Sequence, residues 1–169
     1  MNYYMPRRNE TCEKKCDDVL LEPRAVRILG RRYALTATEF KFLEIGIRMN
    51  PPSYVEIAIG DNYNFISVGP LTVRFHKIND TKLISLESAD VRMMMVESTL
   101  HRMFKLDPCI ELTFDRLTRL TATVDIKFTK FFNIASAITD ARELPNAIRA
   151  SDAFNKHQLV DCELVELVF

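Results

Sequence analysis

Between Val55 and Leu86 apolar and polar residues trade places with a period of two, and the run is cut at Gly60-Asp61-Asn62, Gly69-Pro70 and Asn79-Asp80. Side chains of an extended strand point alternately to opposite faces, so a chain written this way is committed to half-buried strands joined by tight turns. Val55-Glu56-Ile57-Ala58-Ile59 and residues 63–68 form the first pair. The next stretch, 71–78, sends Leu71, Val73, Phe75 and Lys77 to one face and Thr72, Arg74, His76 and Ile78 to the other. One face is therefore apolar and the other cationic. After the turn pair Asn79-Asp80 comes Lys82-Leu83-Ile84-Ser85-Leu86. There Ser85 or Ser88 stands ready to accept from the free amides of a helix predicted over 87–105. Along that helix Val91, Met94, Met95, Ser98, Met103 and Leu106 recur at spacings near three and four. Three consecutive methionines cannot all face one core, which makes Met94, Met95 and Met103 the expected self-association residues.

The rest of the chain reads as mixed structure. Short strands are expected at 19–22 and 25–29. Thr36-Ala37-Thr38-Glu39 has capping-box spacing and starts a helix that ends near Asn50-Pro51-Pro52. Residues 109–114 and 120–128 alternate and are rich in β-branched side chains, the pattern of a second hairpin. A helix after Asn133, a short helix over 147–155 and a terminal strand over 159–169 complete the reading. The expected fold class is α+β, antiparallel sheets packed with a few amphipathic helices. It is arranged as a single domain over 17–169 behind a partly flexible arm, 1–16, or as two sheet-plus-helix units.

Composition narrows the function. Lys and Arg total 23 and Asp and Glu total 23, so no overall positive field draws the chain to nucleic acid and any such affinity needs a local patch. No apolar run reaches the ~18 residues of a membrane span, and residues 1–8 lack the apolar core of a secretory signal; a nuclear or cytoplasmic, non-secreted, non-inserted protein is expected. Cys12 and Cys16 form one close pair and Cys109 and Cys162 stand alone in apolar stretches, a distribution that favours reduced, packed thiols over a metal site. With 4 glycines, no phosphate-cradling loop and no nucleophile beside His76, His101 or His157, the chain offers no catalytic residues and calls for no cofactor.

Gly60 with Phe65-Ile66-Ser67-Val68, then Val73-Arg74-Phe75, then Lys82-Leu83-Ile84-Ser85-Leu86 resembles the transcriptional positive coactivator family of single-stranded DNA-binding proteins, over about a third of the chain by that spacing. The resemblance implies a curved antiparallel sheet that stacks bases and holds phosphates, with helices pairing across a homodimer. A related arrangement is similar to the Whirly proteins, which place two such units in one chain. A faint echo of that duplication runs from Ala25-Val26-Arg27-Ile28-Leu29-Gly30 through Tyr33-Ala34-Leu35-Thr36 to Phe40, Leu43 and Ile47.

Unstacked bases are held by aromatic faces and by cations that track the phosphates. Tyr63, Phe65, Arg74, His76, Lys77 and Lys82 supply both within one hairpin region, and they are the expected contacts for single-stranded DNA or RNA in transcription or genome maintenance. For Phe65 and Phe75 the competing fate is the core. The alternative function is a non-enzymatic, self-associating structural or accessory protein of the viral matrix type. The Pro52-Ser53-Tyr54 segment, with Pro51 before it, would then offer a docking peptide for a partner protein or, more simply, a turn.

Overall fold

The computed structural model describes residues 26–61, 64–67 and 69–169. The predicted strand at 19–22, the arm, and Cys12, Cys16 and Tyr63 lie outside the described residues. Two antiparallel sheets come first in the chain and five helices follow, which is the α+β class expected. Sheet A is the meander β1 (Arg27–Ala34), β2 (Phe42–Arg48), β3 (Tyr54–Gly60) and β4 (Phe65–Ser67). Sheet B is the meander β5 (Thr72–Ile78), β6 (Thr81–Glu87) and β7 (Arg92–Val96). The helices are α1 (Glu97–Lys105), α2 (Asp107–Thr118), α3 (Thr121–Ala135), α4 (Leu144–Arg149) and α5 (Leu159–Leu167).

In sheet A the registers Ile28↔Ile47, Tyr33↔Leu43, Leu43↔Ile59, Ile45↔Ile57, Ile47↔Val55 and Ile59↔Ile66 gather every large aliphatic residue on one face. Two covers share that face. Leu117, Val124, Phe131, Ile148, Leu164 and Val165 of the helices pack over Ile28, Ile45 and Ile47. Ile84, Leu86, Met93 and Met95 of sheet B pack over Leu43, Ile59 and Ile66. Tyr33, Ile57 and Ile110 touch both clusters, so the core is continuous.

The opposite face of sheet A is polar but hardly open. Glu56 is buried between Arg27 and Arg48, pairing with both, and accepts a hydrogen bond from Ser67 Oγ at 2.7 Å. Burial by itself would push the Glu56 carboxyl up. The Ser67 hydroxyl, the Arg27 charge and the Arg48 hydrogen bond outweigh it and hold the group below the usual carboxylate range. Glycine at 60 is needed for close approach: a Cβ there would stand 2.5 Å from the Phe42 ring and 2.9 Å from Phe65.

Four predicted elements are corrected. Residues 36–50 are a turn and strand β2, not a helix. Thr36 Oγ1 accepts from Lys41 N at 3.1 Å rather than from the residue three ahead, and Glu39 has φ 57°, which ends any helical path. With Leu43 and Ile47 in β2 and Phe40 in the turn before it, the echo of a duplicated unit is lost; no helix follows sheet A directly.

The helix assigned to 87–105 begins only at Glu97, because β7 intervenes. Ser88 closes the turn before β7, donating its amide to Val91 O (2.9 Å), and Ser85 sits inside β6; neither caps a helix. The resemblance loses its strand-to-helix junction here.

The hairpin assigned to 109–128 is α2 and α3. Their β-branched threonines are accommodated because the hydroxyls donate back into the helix, Thr113 to Cys109 O at 2.7 Å, Thr118 to Phe114 O at 2.9 Å and Thr129 to Asp125 O at 2.8 Å. The buried set Thr113 and Leu117, then Val124 and Phe131, follows helical spacing that the alternation had masked. The terminal strand is α5, which buries Asp161, Leu164 and Val165 on one side. Asp161 is held there by Lys127 Nζ at 2.7 Å and by the Asn155 amide at 2.8 Å.

Candidate nucleic-acid interface

The first two strands of sheet B are joined by a two-residue turn. Asn79 and Asp80 both have positive φ, 47° and 61°, and join Ile78 to Thr81. That is the handedness that matches strand twist in a tight hairpin, and Asn and Asp tolerate it. The register it sets fixes which side chains share a face. Val73, Phe75, Lys77, Lys82, Ile84 and Leu86 lie on the core side, with Met93 and Met95; Arg74, His76, Ser85, Glu87, Arg92 and Met94 lie on the reverse.

On the core side two cross-strand rows run out from under their cover. Along one, Met95 is 2% exposed, Ile84 3% and Phe75 78%; along the other, Met93 is 1%, Leu86 3% and Val73 48%. Exposure jumps within a single interstrand step, ~4.8 Å, so β5 hangs past the rim of the core with its apolar side chains bare. Lys77 lies directly opposite Lys82, next along this face from the Phe75 ring, and both are exposed. Lys77 Nζ pairs with Asp80 at 2.8 Å.

The reverse face is a chain of hydrogen bonds. Ser85 Oγ donates to Glu87 Oε1 at 2.9 Å, which leaves His76 Nε2 to donate to Ser85 Oγ at 2.9 Å. Arg74 and Arg92 flank Glu87 at 3.2 and 2.8 Å. The Ser85 hydrogen bond, reinforced by the charges of Arg92 and Arg74, outweighs the opposing effect of burial and holds the Glu87 carboxyl below its ordinary range. Ser85 is fully buried and its proton is committed to Glu87, so the order histidine, hydroxyl, carboxylate positions side chains and creates no nucleophile.

Of the expected contacts, Arg74 and His76 share the reverse face, while Lys77 and Lys82 share the core face. Phe65 belongs to neither. It sits in sheet A, half-buried, with the Arg27 guanidinium 4.3 Å over its ring and Phe42 beside it at 6.4 Å, already stacked. The single basic and aromatic face expected of these six residues is therefore divided, and the ring that joins the two lysines is Phe75. Alternation placed Phe75 on the apolar face; it is bare because the core that covers Ile84, Leu86, Met93 and Met95 stops short of β5. Ser85, Glu87 and Arg92 were not anticipated as parts of the site and carry no signal in the sequence beyond their parity.

The methionines are corrected as well. Met95 is buried in β7, Met103 packs against the core, and Met94 is half-buried on the reverse face, so the three form no common surface. Cys109 is exposed on α2 and Cys162 half-buried on α5, neither in a strand. Pro51, Pro52 and Tyr54 are exposed, but Ser53 between them gives its amide to the Asp125 carboxylate at 3.1 and 3.2 Å, which ties the segment to α3. An open pocket of ≈ 350 Å³ lies elsewhere, among Arg27, Gly30, Cys162, Glu163, Glu166 and Leu167. Its ionisable groups are engaged: Glu163 accepts the Leu29 amide, Glu166 pairs with Arg149 and Arg27 with Glu56. No helix among the described residues is long and apolar enough to cross a membrane. No family model, curated protein or solved structure matches the chain.

Proposed function

We propose that the chain is a non-enzymatic binding module and that the overhanging hairpin β5–β6 takes single-stranded DNA or RNA. The observation that carries the reading is the bare ring of Phe75, 78% exposed, with Lys77 and Lys82 on the same face. Stacking of a base on an aromatic ring contributes about 1–3 kcal/mol, and two lysines at that spacing reach the adjoining phosphates. Arg74 and Arg92 give further positive charge at the back of the sheet. Their pairing with Glu87 is partly solvated and weak enough for phosphate to compete. Duplex offers no exposed base face to the ring and should bind less well.

Fluorescence anisotropy with labelled single-stranded DNA, single-stranded RNA and duplex at two salt concentrations tests the proposal. Single strands should bind more tightly than duplex, affinity should fall as salt rises, and Phe75→Ala should lose about tenfold or more. Equal binding by Phe75→Ala and the parent chain would refute it.

A second reading, a self-associating structural or accessory protein, draws support from other exposed apolar residues, Phe104, Leu112, Ile126 and Phe132 on the helices among them. Salt would then matter little, and mass would rise with concentration.

A further inference from the structure

Every open sheet presents edges whose unpaired amides and carbonyls can template another strand, and proteins blunt the edges they do not use. Among the described residues the two sheets have four edges, and three of them are blunted. β1 is broken by an irregularity between Ile28 and Arg31, with Leu29 at φ 54°, and its Leu29 amide is taken by Glu163 of α5. β4 is only 3 residues long. β7 has 5 residues and runs straight into α1, which folds back on β6 and β7. The fourth, β5, has 7 residues in unbroken register with β6, no proline, and no residue buried.

We infer that the free edge of β5 pairs antiparallel with β5 of a second copy, across a twofold axis at Phe75. The inference is independent of nucleic-acid binding. Because the hairpin turn makes Ile78 and Thr81 a hydrogen-bonded pair, alternation commits Thr72, Arg74, His76 and Ile78 to β6 and turns the amides and carbonyls of Val73, Phe75 and Lys77 outward.

Charge selects both the occupant and the register. With Phe75 opposite its own copy, all of β5 is paired, Val73 faces Lys77, and Arg74 faces His76, so no lysine or arginine opposes another. One step of slippage toward the N-terminus sets Arg74 against Arg74. One step the other way carries the strand ends onto the turn residues Asn79 and Asp80. The cations of the strand also have carboxylates beside them, Arg74 the Glu87 that it shares with Arg92 and Lys77 the Asp80 of the turn, which lowers the repulsion between two approaching copies. In the pair the two Phe75 rings stand side by side on one face of a six-stranded sheet.

Sedimentation velocity of the full chain over a concentration series is the test. The parent should pass from monomer to dimer. Val73→Pro, which removes an outward amide without touching the β6 ladder, should remain monomeric with an unchanged circular dichroism spectrum. On mild oxidation Phe75→Cys should form a disulfide-linked dimer beyond the parent's level, since hydrogen-bonded partners stand ~5.5 Å apart at Cα, within disulfide reach, and Lys77→Cys should not. A parent that is monomeric throughout, a Val73→Pro chain that associates as the parent does, or cross-linking at 77 in place of 75 would overturn the inference. If Val73→Pro fails to fold, the oxidation pair decides.

Discussion

Sheets A and B are both antiparallel meanders written in alternating sequence, yet sheet A is covered on its apolar face along its whole width while sheet B is covered on only two of its three strands. Phe131, pressed over sheet A from α3, is 0% exposed; Phe75 at the rim of sheet B is 78% exposed. The polar faces differ in the same sense. Glu56 of sheet A is buried between two arginines, whereas Glu87 of sheet B holds Arg74 and Arg92 at a partly solvated surface. Alternation states which residues share a face; only the neighbouring layer decides whether that face is filled. Sheet A is covered throughout, and sheet B leaves one strand bare.

That division can be broken by experiment. Phe131→Ala should cost about 3–5 kcal/mol in denaturant unfolding, while Phe75→Ala should stay within about 0.5 kcal/mol of the parent. If both cost the same, β5 is part of the core and the contrast fails. Next in size, Glu56→Gln leaves two arginines facing a neutral amide and should cost about 3 kcal/mol. Its pH signature follows from the lowered Glu56 carboxyl. The stabilisation is fully present above the ordinary carboxylate range and is lost as pH falls through the depressed value, so the Gln variant should show a shallower acid loss of stability than the parent. An unchanged acid limb would remove Glu56 from the account.

The strands from 54 to 86 were legible because their period-two pattern, their Gly, Asn and Asp turns and their lengths all agree. Residues 91–96 misled because Val91, Met94 and Met95 also satisfy a period near 3.6, and adaptable methionines suit either state. Residues 109–128 and 159–167 misled in the opposite direction. Ile110, Leu112 and Phe114 alternate by chance, and threonine, usually a strand residue, is settled in α2 and α3 by back-bonding that no propensity scale records. Half of the candidate site could be read, the cations and their parity. The exposed ring could not, since the engagement of Phe65 and the exposure of Phe75 depend on Arg27 and on where the core ends, both distant in sequence.

Smaller effects sharpen the comparison. Gly60→Ala drives a methyl into the Phe42 ring of sheet A and should cost about 1–3 kcal/mol by calorimetry, with no effect on nucleic-acid affinity. Asp80→Gly in the sheet B turn keeps the positive φ that the turn requires and releases Lys77 from its ion pair. Affinity for single strands should rise by a few-fold at low salt, with the fold unchanged. A fall in affinity would mean that Lys77 does not meet phosphate.

The claim that β5 and β6 form the working surface is met most directly by mapping amide and methyl resonances during titration with a short single-stranded oligonucleotide. The account predicts that shifts concentrate at Val73, Phe75, Lys77 and Lys82 while those of residues 42–60 stay in place. Shifts centred on sheet A, or none at saturating oligonucleotide, would contradict it.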